Sequence, residues 1–384
     1  MERRTYIDNL RWMTVLLVLV YHVFYLFNAE GVFGGIGPFA EVQYQDIPLY
    51  LVYPWFMLLL FVVAGMSSRW SLEKMESKGG SRREAHRRFV RSRTLKLLVP
   101  STIGLFVYHW MTGWLNMNAM GGYMPEGLPF AVRFFILAFT GCGPLWFIQD
   151  LWLFSLLLVV VRWIDGKDRL YRFCGRLSEM SGITVTVVAM ALAVVMWLVA
   201  QAHVNPDPNS FSPAGLLNLY RPLFYFVGYL LGYYLFSHDD VMAKLSEQWA
   251  ALLIFAVTAA VVFAITYFGQ DYTMVSTHRD TNIFAWFAVL AALACGHRWL
   301  NGSNAFSRYM TQCSYGIYIV HYLPALAGAF TLRTFTSLPA VAIYAILVVS
   351  VFAVSVALYE TIRRIPFLRW ALFGMKRRKS VNTQ

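Results

Sequence analysis

Arg11 and His22 have the residue types and the spacing that most clearly indicate chemistry in this chain. They lie eleven positions apart in the apolar stretch IDNLRWMTVLLVLVYHVFYLF. Eleven residues of α-helix turn a side chain through roughly 1100°, about 20° from whole turns, and advance it by ~16 Å. Both side chains therefore lie on one helix face, with the guanidinium near the helix start and the imidazole well inside. This arrangement suits a long ligand that has an anionic head and a reactive tail.

Other catalytic candidates also lie in apolar stretches, where a charged side chain costs roughly 2.5–3.5 kcal/mol to insert. We expect His22 to act as a general base, because imidazole titrates near pH ~6.5. The alternative is a structural histidine that bonds to a neighbouring helix. Asp150 is the expected partner that orients His22. Tyr318, His321 and Trp146 are candidates for stabilising an oxyanion, although Tyr318 and His321 also fit an aromatic packing stripe.

Arginines cluster after the second apolar stretch. Arg88 and Arg91 share one face of a predicted basic amphipathic helix, SRREAHRRFVRSR. Guanidinium forks bind phosphate bidentately, so Arg11, Arg88 and Arg91 form a candidate site for a phosphorylated ligand. Asp8, three residues before Arg11, is expected to pair with it. The alternative for the cluster is attraction to anionic lipid headgroups.

The composition indicates which elements hold these residues. The chain has 384 residues, of which 58% are hydrophobic and 14% are charged, whereas soluble domains are about one quarter charged. Apolar runs recur at the length of ~20 residues that a membrane-spanning helix needs. The sequence therefore predicts an all-α, polytopic membrane helical bundle that forms a single domain over residues 1–384. The predicted spans are 10–28, 48–68, 95–113, 145–162, 183–203, 214–236, 249–268, 282–299, 313–332 and 338–360.

The segment 129–140 is too short to cross a bilayer, and we expect a re-entrant or interfacial helix there, with eleven spans as the alternative. With ten spans and both termini cytoplasmic, all but four of the 32 Lys and Arg residues lie on the inner side, as the positive-inside rule requires. The loop 69–96 and the tail 361–384 are the basic cytoplasmic segments. This topology accounts for the net charge of +12, so we expect an inner or plasma membrane location and no nucleic-acid partner. No cysteine spacing resembles a metal site, and no metal is expected.

Ordered blocks along the chain resemble the acyltransferase-3 family of integral membrane acyltransferases. The matching blocks are Asp8-Asn9-Leu10-Arg11 with His22, FVVAGMSSRW at 61–70, Arg88 with Arg91, LWFIQDLW at 145–152 and SYGIYIVHYL at 314–323. GHRWLNGSNAF at 296–306 and LYETIRRIPFLRWALFG at 358–374 resemble the glucan-modifying branch of that family, the glucans biosynthesis protein C type.

The resemblance implies transfer of an acetyl or succinyl group from cytoplasmic acetyl-CoA or succinyl-CoA to a hydroxyl of an extracytoplasmic carbohydrate. It assigns this work to Arg11 with His22 and to Arg88 with Arg91. Acyl-CoA is then a donor substrate and not a permanently bound cofactor, and the bilayer is a further partner. General-base catalysis and a covalent acyl-histidine relay both remain open. The alternative function is a transporter or flippase for a glycan or lipid-linked sugar, without acyl-transfer chemistry.

Overall fold

The computed structural model describes residues 4–29, 35–119, 127–140, 143–202, 221–272 and 274–375. Every regular element within these ranges is helical, which confirms the predicted all-α class. The α-helices are α1 (Thr5–Tyr25), α2 (Ile47–Val52), α3 (Phe56–Glu76), α4 (Arg82–Arg93), α5 (Val99–Gly104), α6 (Trp110–Ala119), α7 (Phe130–Thr140), α8 (Leu145–Ile164), α9 (Arg169–Gly175), α10 (Gly182–Ala200), α11 (Pro222–Tyr234), α12 (Asp239–Glu247), α13 (Trp249–Tyr267), α14 (Arg279–Trp299), α15 (Ala305–Val320), α16 (Tyr322–Phe335), α17 (Ala340–Arg364) and α18 (Pro366–Phe373).

Several of these elements are long and apolar enough to cross a membrane. Within the described residues they are Thr5–Tyr25, Tyr44–Glu76, Leu145–Ile164, Gly182–Ala200, Trp249–Tyr267 and Ala340–Arg364. The pair α15 and α16, bent by 58°, makes a seventh if it counts as one span. By length and composition the chain is therefore a multi-pass membrane protein. The total of ten spans and the cytoplasmic termini stay predictions.

Three predicted spans, 95–113, 214–236 and 282–299, are not among these segments. The first lies in a continuous helical run in which α4, α5 and α6 are joined by π-helical turns at Thr94–Leu98 and Leu105–His109. The helix α11 is the described part of the second. The third coincides with α14, a 21-residue helix with polar residues in its first turn.

The segment 129–140 contains α7, which packs against α6. The Nδ1 atom of His109, the last residue of the π turn before α6, lies 2.9 Å from the carbonyl oxygen of Ala138 in α7. This contact gives a structural partner to one of the histidines that lie in apolar stretches.

Helix α3 lies in the centre of the bundle, and its segment is the most enclosed of the six. It packs closely against α11 through two glycines. A Cβ atom on Gly65 would collide with the carbonyl of Tyr229, and one on Gly232 would collide with the carbonyl of Val62. Small residues allow such close backbone approach between membrane helices. This close packing fixes the position of α3, whose C-terminal half carries the polar residues Ser67, Ser68 and Arg69.

Two prolines account for the π turn Thr94–Leu98 and for the bend between α15 and α16. Pro100 has no N–H for the carbonyl of Lys96 and would clash with it in a regular helix, and the π turn Thr94–Leu98 lies at this position. The freed Lys96 carbonyl accepts a hydrogen bond from the Tyr315 hydroxyl at 2.6 Å. Pro324 likewise has no N–H for the carbonyl of Val320, four residues before it. The bend between α15 and α16 lies at this position. The bend places His321 at the junction of the two helices.

Candidate active site

His22 of α1 and His321 at the bend form a hydrogen-bonded pair. The Nε2 atom of His321 lies 3.0 Å from the Nδ1 atom of His22. The Nδ1 atom of His22 also lies 2.9 Å from the Val18 carbonyl, and the Nδ1 atom of His321 lies 2.7 Å from the Tyr318 carbonyl. His321 is fully buried, whereas part of the His22 side chain is accessible.

The two carbonyl oxygens determine which ring nitrogens carry protons, because a carbonyl oxygen only accepts hydrogen bonds. His321 donates its Nδ1–H to Tyr318, so its Nε2 atom is the acceptor. His22 carries its proton on Nδ1, where both neighbours are acceptors. The network thus leaves the lone pair of His22 on Nε2. This nitrogen is the one that can take up a proton or attack a carbonyl carbon.

Aromatic rings connect the surroundings of His22 with the surface. The ring of His22 lies 5.4 Å from that of Tyr21 and 5.1 Å from that of Tyr322. From Tyr21 a series of neighbouring rings, with centroids 4.9 to 6.4 Å apart, leads to an exposed tyrosine. We call it the aromatic series, and its members are Tyr21, Tyr53, Tyr272, Tyr50, Phe268 and Tyr44. Tyr44, at the end of the series, is 77% exposed.

Asp150 on α8 does not have the partner that the sequence predicts. The hydrogen bonds of His22 Nδ1 go to Val18 and His321, so His321 occupies the position expected for Asp150. Asp150 is 1% exposed, and neither carboxyl oxygen has a hydrogen-bond partner among the described residues. It lies close enough to Tyr318 to act on that hydroxyl electrostatically.

The two aromatic oxyanion candidates differ in their surroundings. Tyr318 donates its hydroxyl to the carbonyl of Pro144 at 2.7 Å. Trp146 is partly accessible, and its ring packs 5.7 Å from that of Tyr225. The hydroxyl of Tyr318 is thus already engaged, and the oxyanion role of both residues stays a prediction.

Two arginines meet at the C-terminal half of α3, the side that the predicted topology places toward the cytoplasm, and we call them the inner arginine pair. Arg11 donates to the Ser67 hydroxyl at 2.8 Å and pairs with Asp8 at 3.1 Å, as the sequence predicts. Arg93 donates to the Ser68 hydroxyl at 2.9 Å. The guanidinium groups of Arg11 and Arg93 are near enough to repel each other. No carboxylate of the described residues pairs with Arg93, so the pair retains uncompensated positive charge.

Helix α4 directs Arg93 inward. Its start is fixed by a capping box, in which the Ser81 hydroxyl accepts the N–H of Glu84 and the Glu84 carboxylate accepts the N–H of Ser81. Ala85 and Phe89 form its buried face. Arg93 follows Phe89 by four residues, which places it on that face, and its guanidinium lies 4.9 Å from the Phe89 ring.

Arg88 and Arg91, which the sequence predicts as phosphate ligands, lie elsewhere on α4. Both are exposed. Arg88 donates to the carbonyls of Met75 and Gly79 at 3.1 and 2.9 Å and so stabilises the turn between α3 and α4. Sequence reasoning missed Arg93. The signal that identifies it is its spacing of four and eight residues from the apolar residues of the buried face.

A second group of polar side chains, the inner clamp, joins the C-terminal ends of α3 and α8 to α11 and to the residues after α8. Its members are Arg69, Glu73, Glu76, Arg162, Asp168 and Tyr233. Arg162 is 1% exposed and lies 2.7 Å from Glu76 and 3.2 Å from Asp168. Arg69 lies 2.6 Å from Glu73. Each arginine of this group therefore has carboxylate partners.

A family model described as an acyltransferase domain, that of the acyltransferase-3 family, matches residues 4–360. The chain belongs to this family. The match includes every residue of the histidine pair, the inner arginine pair and the inner clamp. Membership in the acyltransferase-3 family confirms the resemblance drawn from the sequence blocks.

Curated relatives support the same placement within the acyltransferase-3 family. Proteins named glucans biosynthesis protein C from Salmonella schwarzengrund, Salmonella enteritidis and Salmonella typhi are each 24% identical to this chain over 239 residues. Each match covers 59% of this chain and 61% of the relative. The chain thus spans less than two thirds of the length of these relatives. No solved structure matches it.

Proposed function

We propose that this chain is a membrane O-acyltransferase that moves an acetyl or succinyl group from cytoplasmic acyl-CoA to a hydroxyl of an extracytoplasmic glycan. The observation that carries the proposal is the hydrogen bond between His22 and His321, which leaves the His22 Nε2 atom as a base. Family membership supports acyl transfer as the reaction class. The name of the relatives, glucans biosynthesis protein C, supports a glucan as the acceptor.

The donor binds at the inner arginine pair. Acyl-CoA carries phosphate groups at one end and a thioester at the other, and guanidinium groups are suited to phosphate. Arg11 and Arg93 bind the phosphates, and the exposed Arg91 extends the positive surface toward the solvent. Helix α1 then sets the distance, because His22 lies ~16 Å further along it. A pantetheine arm is long enough to carry the thioester across that distance.

His22 activates the acceptor. Its Nε2 atom takes the proton from the glycan hydroxyl while the hydroxyl oxygen attacks the thioester carbonyl carbon. The tetrahedral intermediate then loses the thiolate as the C–S bond breaks, and the thiolate takes the proton back from His22. The products are the glycan ester and free coenzyme A. Throughout, the Nε2 atom of His321 accepts the hydrogen bond from the Nδ1–H group of His22. This contact stabilises the imidazolium of His22, as the third member of a catalytic triad does.

A covalent acyl-histidine relay begins from the same lone pair. In that route the Nε2 atom of His22 attacks the thioester, coenzyme A leaves, and the glycan hydroxyl then takes the acyl group from the imidazole. Both routes require His321 to keep the proton of His22 on Nδ1, so that Nε2 has the free lone pair. A burst of free thiol without acceptor distinguishes the relay from direct transfer.

The aromatic series supports a carbohydrate acceptor. Tyrosines offer an apolar ring and a polar hydroxyl together, and sugars present C–H faces edged by hydroxyls. The exposed Tyr44 provides a surface at the outer end, and the partly accessible Tyr53 and Tyr25 lie nearer to His22. The glycan reaches His22 along these accessible rings, while the buried members of the series keep them in place.

The experiment that tests this function measures free thiol release from acetyl-CoA by purified protein, with linear glucan oligosaccharides as acceptors. We expect acceptor-dependent release, and a loss of about 100-fold or more in His22→Ala, which is the contribution of a general base. His297→Gln is the matched control, since His297 lies at the inner end of α14, packed edge-on against Tyr6. Transfer that survives in His22→Ala would refute the mechanism. Glycan translocation without thiol release would support a transporter instead.

A further inference from the structure

We infer that Asp150 accepts a hydrogen bond from an amide N–H of the donor's pantetheine arm, an inference that rests on the proposed function. Both carboxyl oxygens of Asp150 are buried without a hydrogen-bond partner among the described residues. A carboxyl group inside a spanning helix is costly, and the cost rises when its hydrogen-bonding capacity is unused. Such a group calls for a ligand that supplies the missing donor.

Two hydrogen bonds from α8 to its neighbours define the depth of Asp150. Below it, Trp152 donates to the Thr94 hydroxyl at 3.1 Å, and Thr94 is adjacent to Arg93. Above it, the Pro144 carbonyl accepts from Tyr318, whose own carbonyl holds His321. At ~1.5 Å per residue, Asp150 lies ~3 Å above Trp152 and ~9 Å below Pro144 along the helix. It therefore lies between the level of the inner arginine pair and the level of the histidine pair.

The face of α8 that carries Asp150 is directed at α3 and α15. Phe147, three residues before Asp150, packs 5.5 Å from the Tyr318 ring and 4.7 Å from the Phe61 ring. Phe154, four residues after it, packs 5.1 Å from the Phe61 ring. Residues three and four apart on a helix share a face. Asp150 thus lies on the side of α8 that faces α3, whose serines hold the inner arginine pair, and α15, which ends next to His321.

The chemistry of the arm matches this position. Pantetheine contains two amide groups, and each amide N–H needs an acceptor in an interior that excludes water. A carboxylate accepts such a bond, and a protonated carboxyl still has a carbonyl oxygen that accepts it. The packed rings of Phe61, Phe147 and Phe154 on this side of α8 suit the methylene segments on either side of an amide.

The test compares acetyl-CoA with S-phenyl thioacetate, a thioester without an amide, in two Asp150 variants. Asp150→Leu removes the acceptor, and we expect the KM for acetyl-CoA to rise about tenfold, the typical effect of losing a buried hydrogen bond. Turnover of S-phenyl thioacetate should stay within about twofold of wild type, because that donor makes no such bond. Asp150→Asn keeps an acceptor oxygen and should retain a KM within about threefold of wild type.

Ser155→Ala is the matched control, since Ser155 is a fully buried polar residue on the same helix with its hydroxyl bonded to Leu151. This variant should keep the wild-type KM for acetyl-CoA and the wild-type turnover of S-phenyl thioacetate. The melting temperature of Asp150→Leu should equal or exceed that of wild type, because the variant removes an unpartnered polar group. An equal loss with both donors, or no change in the acetyl-CoA KM, would overturn the inference. A wild-type protein that releases no thiol from acetyl-CoA would instead refute the proposed function.

Discussion

The C-terminal half of α3 carries two arginine clusters that differ in their balance of hydroxyl and carboxylate partners. In the inner arginine pair, the serine hydroxyls of α3 hold Arg11 and Arg93, and Asp8, which pairs with Arg11, is the one carboxylate partner among the described residues. In the inner clamp, the carboxylates of Glu73, Glu76 and Asp168 hold Arg69 and Arg162. Ser67, Ser68 and Arg69 are consecutive, so one turn of helix serves both clusters.

The difference separates an anion site from a structural joint. A hydroxyl orients a guanidinium without cancelling its charge, whereas a carboxylate cancels it. The inner arginine pair therefore keeps an attraction for a phosphate group, which a neutralised cluster lacks. The inner clamp uses its charges to join α3, α8 and the turn after α8. On the proposed function, the same residue type thus serves binding in one place and folding in the other.

The largest expected effect comes from breaking the inner clamp. Arg162→Met leaves Glu76 without its partner and removes the nearest arginine from Asp168, which still has Arg69 at 3.6 Å. Removing one member of a buried ion pair costs about 3–5 kcal/mol. We expect a value near the lower end, because these carboxylates are each 30% exposed. The denaturant midpoint of the detergent-solubilised protein measures it.

The control for this change is Arg162→Lys, which keeps the charge and should lose less stability. Any folded fraction of Arg162→Met should bind acetyl-CoA as wild type does, since the clamp takes no part in binding. An unchanged midpoint would mean that the inner clamp is not a structural joint.

The next largest effect concerns the inner arginine pair. Arg93→Gln removes one positive charge, and we expect the dissociation constant for acetyl-CoA to rise about 10- to 100-fold, as for loss of a charged hydrogen bond. The denaturant midpoint should not fall, because no carboxylate of the described residues depends on Arg93. Arg83→Gln is the matched control, an exposed arginine on the same helix. Equal losses of affinity in both variants would show that the inner arginine pair contributes only as general positive surface charge.

Removing the serine hydroxyls tests how much the orientation of the guanidinium groups contributes, separately from their charge. The double variant Ser67→Ala, Ser68→Ala keeps both guanidinium groups but removes their serine contacts, while Arg11 retains its ion pair with Asp8. We expect a rise of about threefold in the same dissociation constant. In the Arg93→Gln background, Ser68→Ala should add almost nothing, because the two residues act through one contact. Additive losses would show that the serine acts independently of the arginine.

The smallest effect is a pH dependence beside the inner clamp. Burial lowers the pKa of His238, and the charge of Arg69 lowers it further, while the bond to the Tyr171 carbonyl opposes both. Below pH ~6.5 the unfolded chain takes up a proton that the folded protein resists, so stability should decrease as the pH falls through that value. Melting temperatures at neutral and mildly acidic pH measure the decrease.

His238→Phe keeps the ring stacked 3.8 Å from Tyr171 and removes the titrating group. Its melting temperature should fall less on acidification than that of wild type. A decrease of equal size in both proteins would assign the pH dependence to other groups.

The sequence predicted the parts of the site that depend on one helix. Arg11 and His22 share α1, and Asp8 pairs with Arg11 at a spacing of three residues. Helix periodicity alone determines both relations. The family blocks likewise extend across the chain, as the match to residues 4–360 confirms.

The parts that depend on contacts between helices were not predictable in this way. The partner of His22 is His321 because a bend ahead of Pro324 brings the junction of α15 and α16 to α1. Asp150 was expected there because the predicted topology places it at a depth similar to that of His22, and a predicted depth does not determine which neighbour a side chain faces. Arg93 was missed because the Arg-x-x-Arg pattern drew attention to the exposed face of α4.

The most direct test of the central claim is the direction of acyl transfer across a membrane. Proteoliposomes with a single protein orientation receive radiolabelled acetyl-CoA on the side of the inner arginine pair and a glucan oligosaccharide on the opposite side. If α1 links the donor site to His22 near the other face, the label appears on the oligosaccharide, and His22→Ala abolishes it. Transfer only when donor and acceptor share one side would contradict the account.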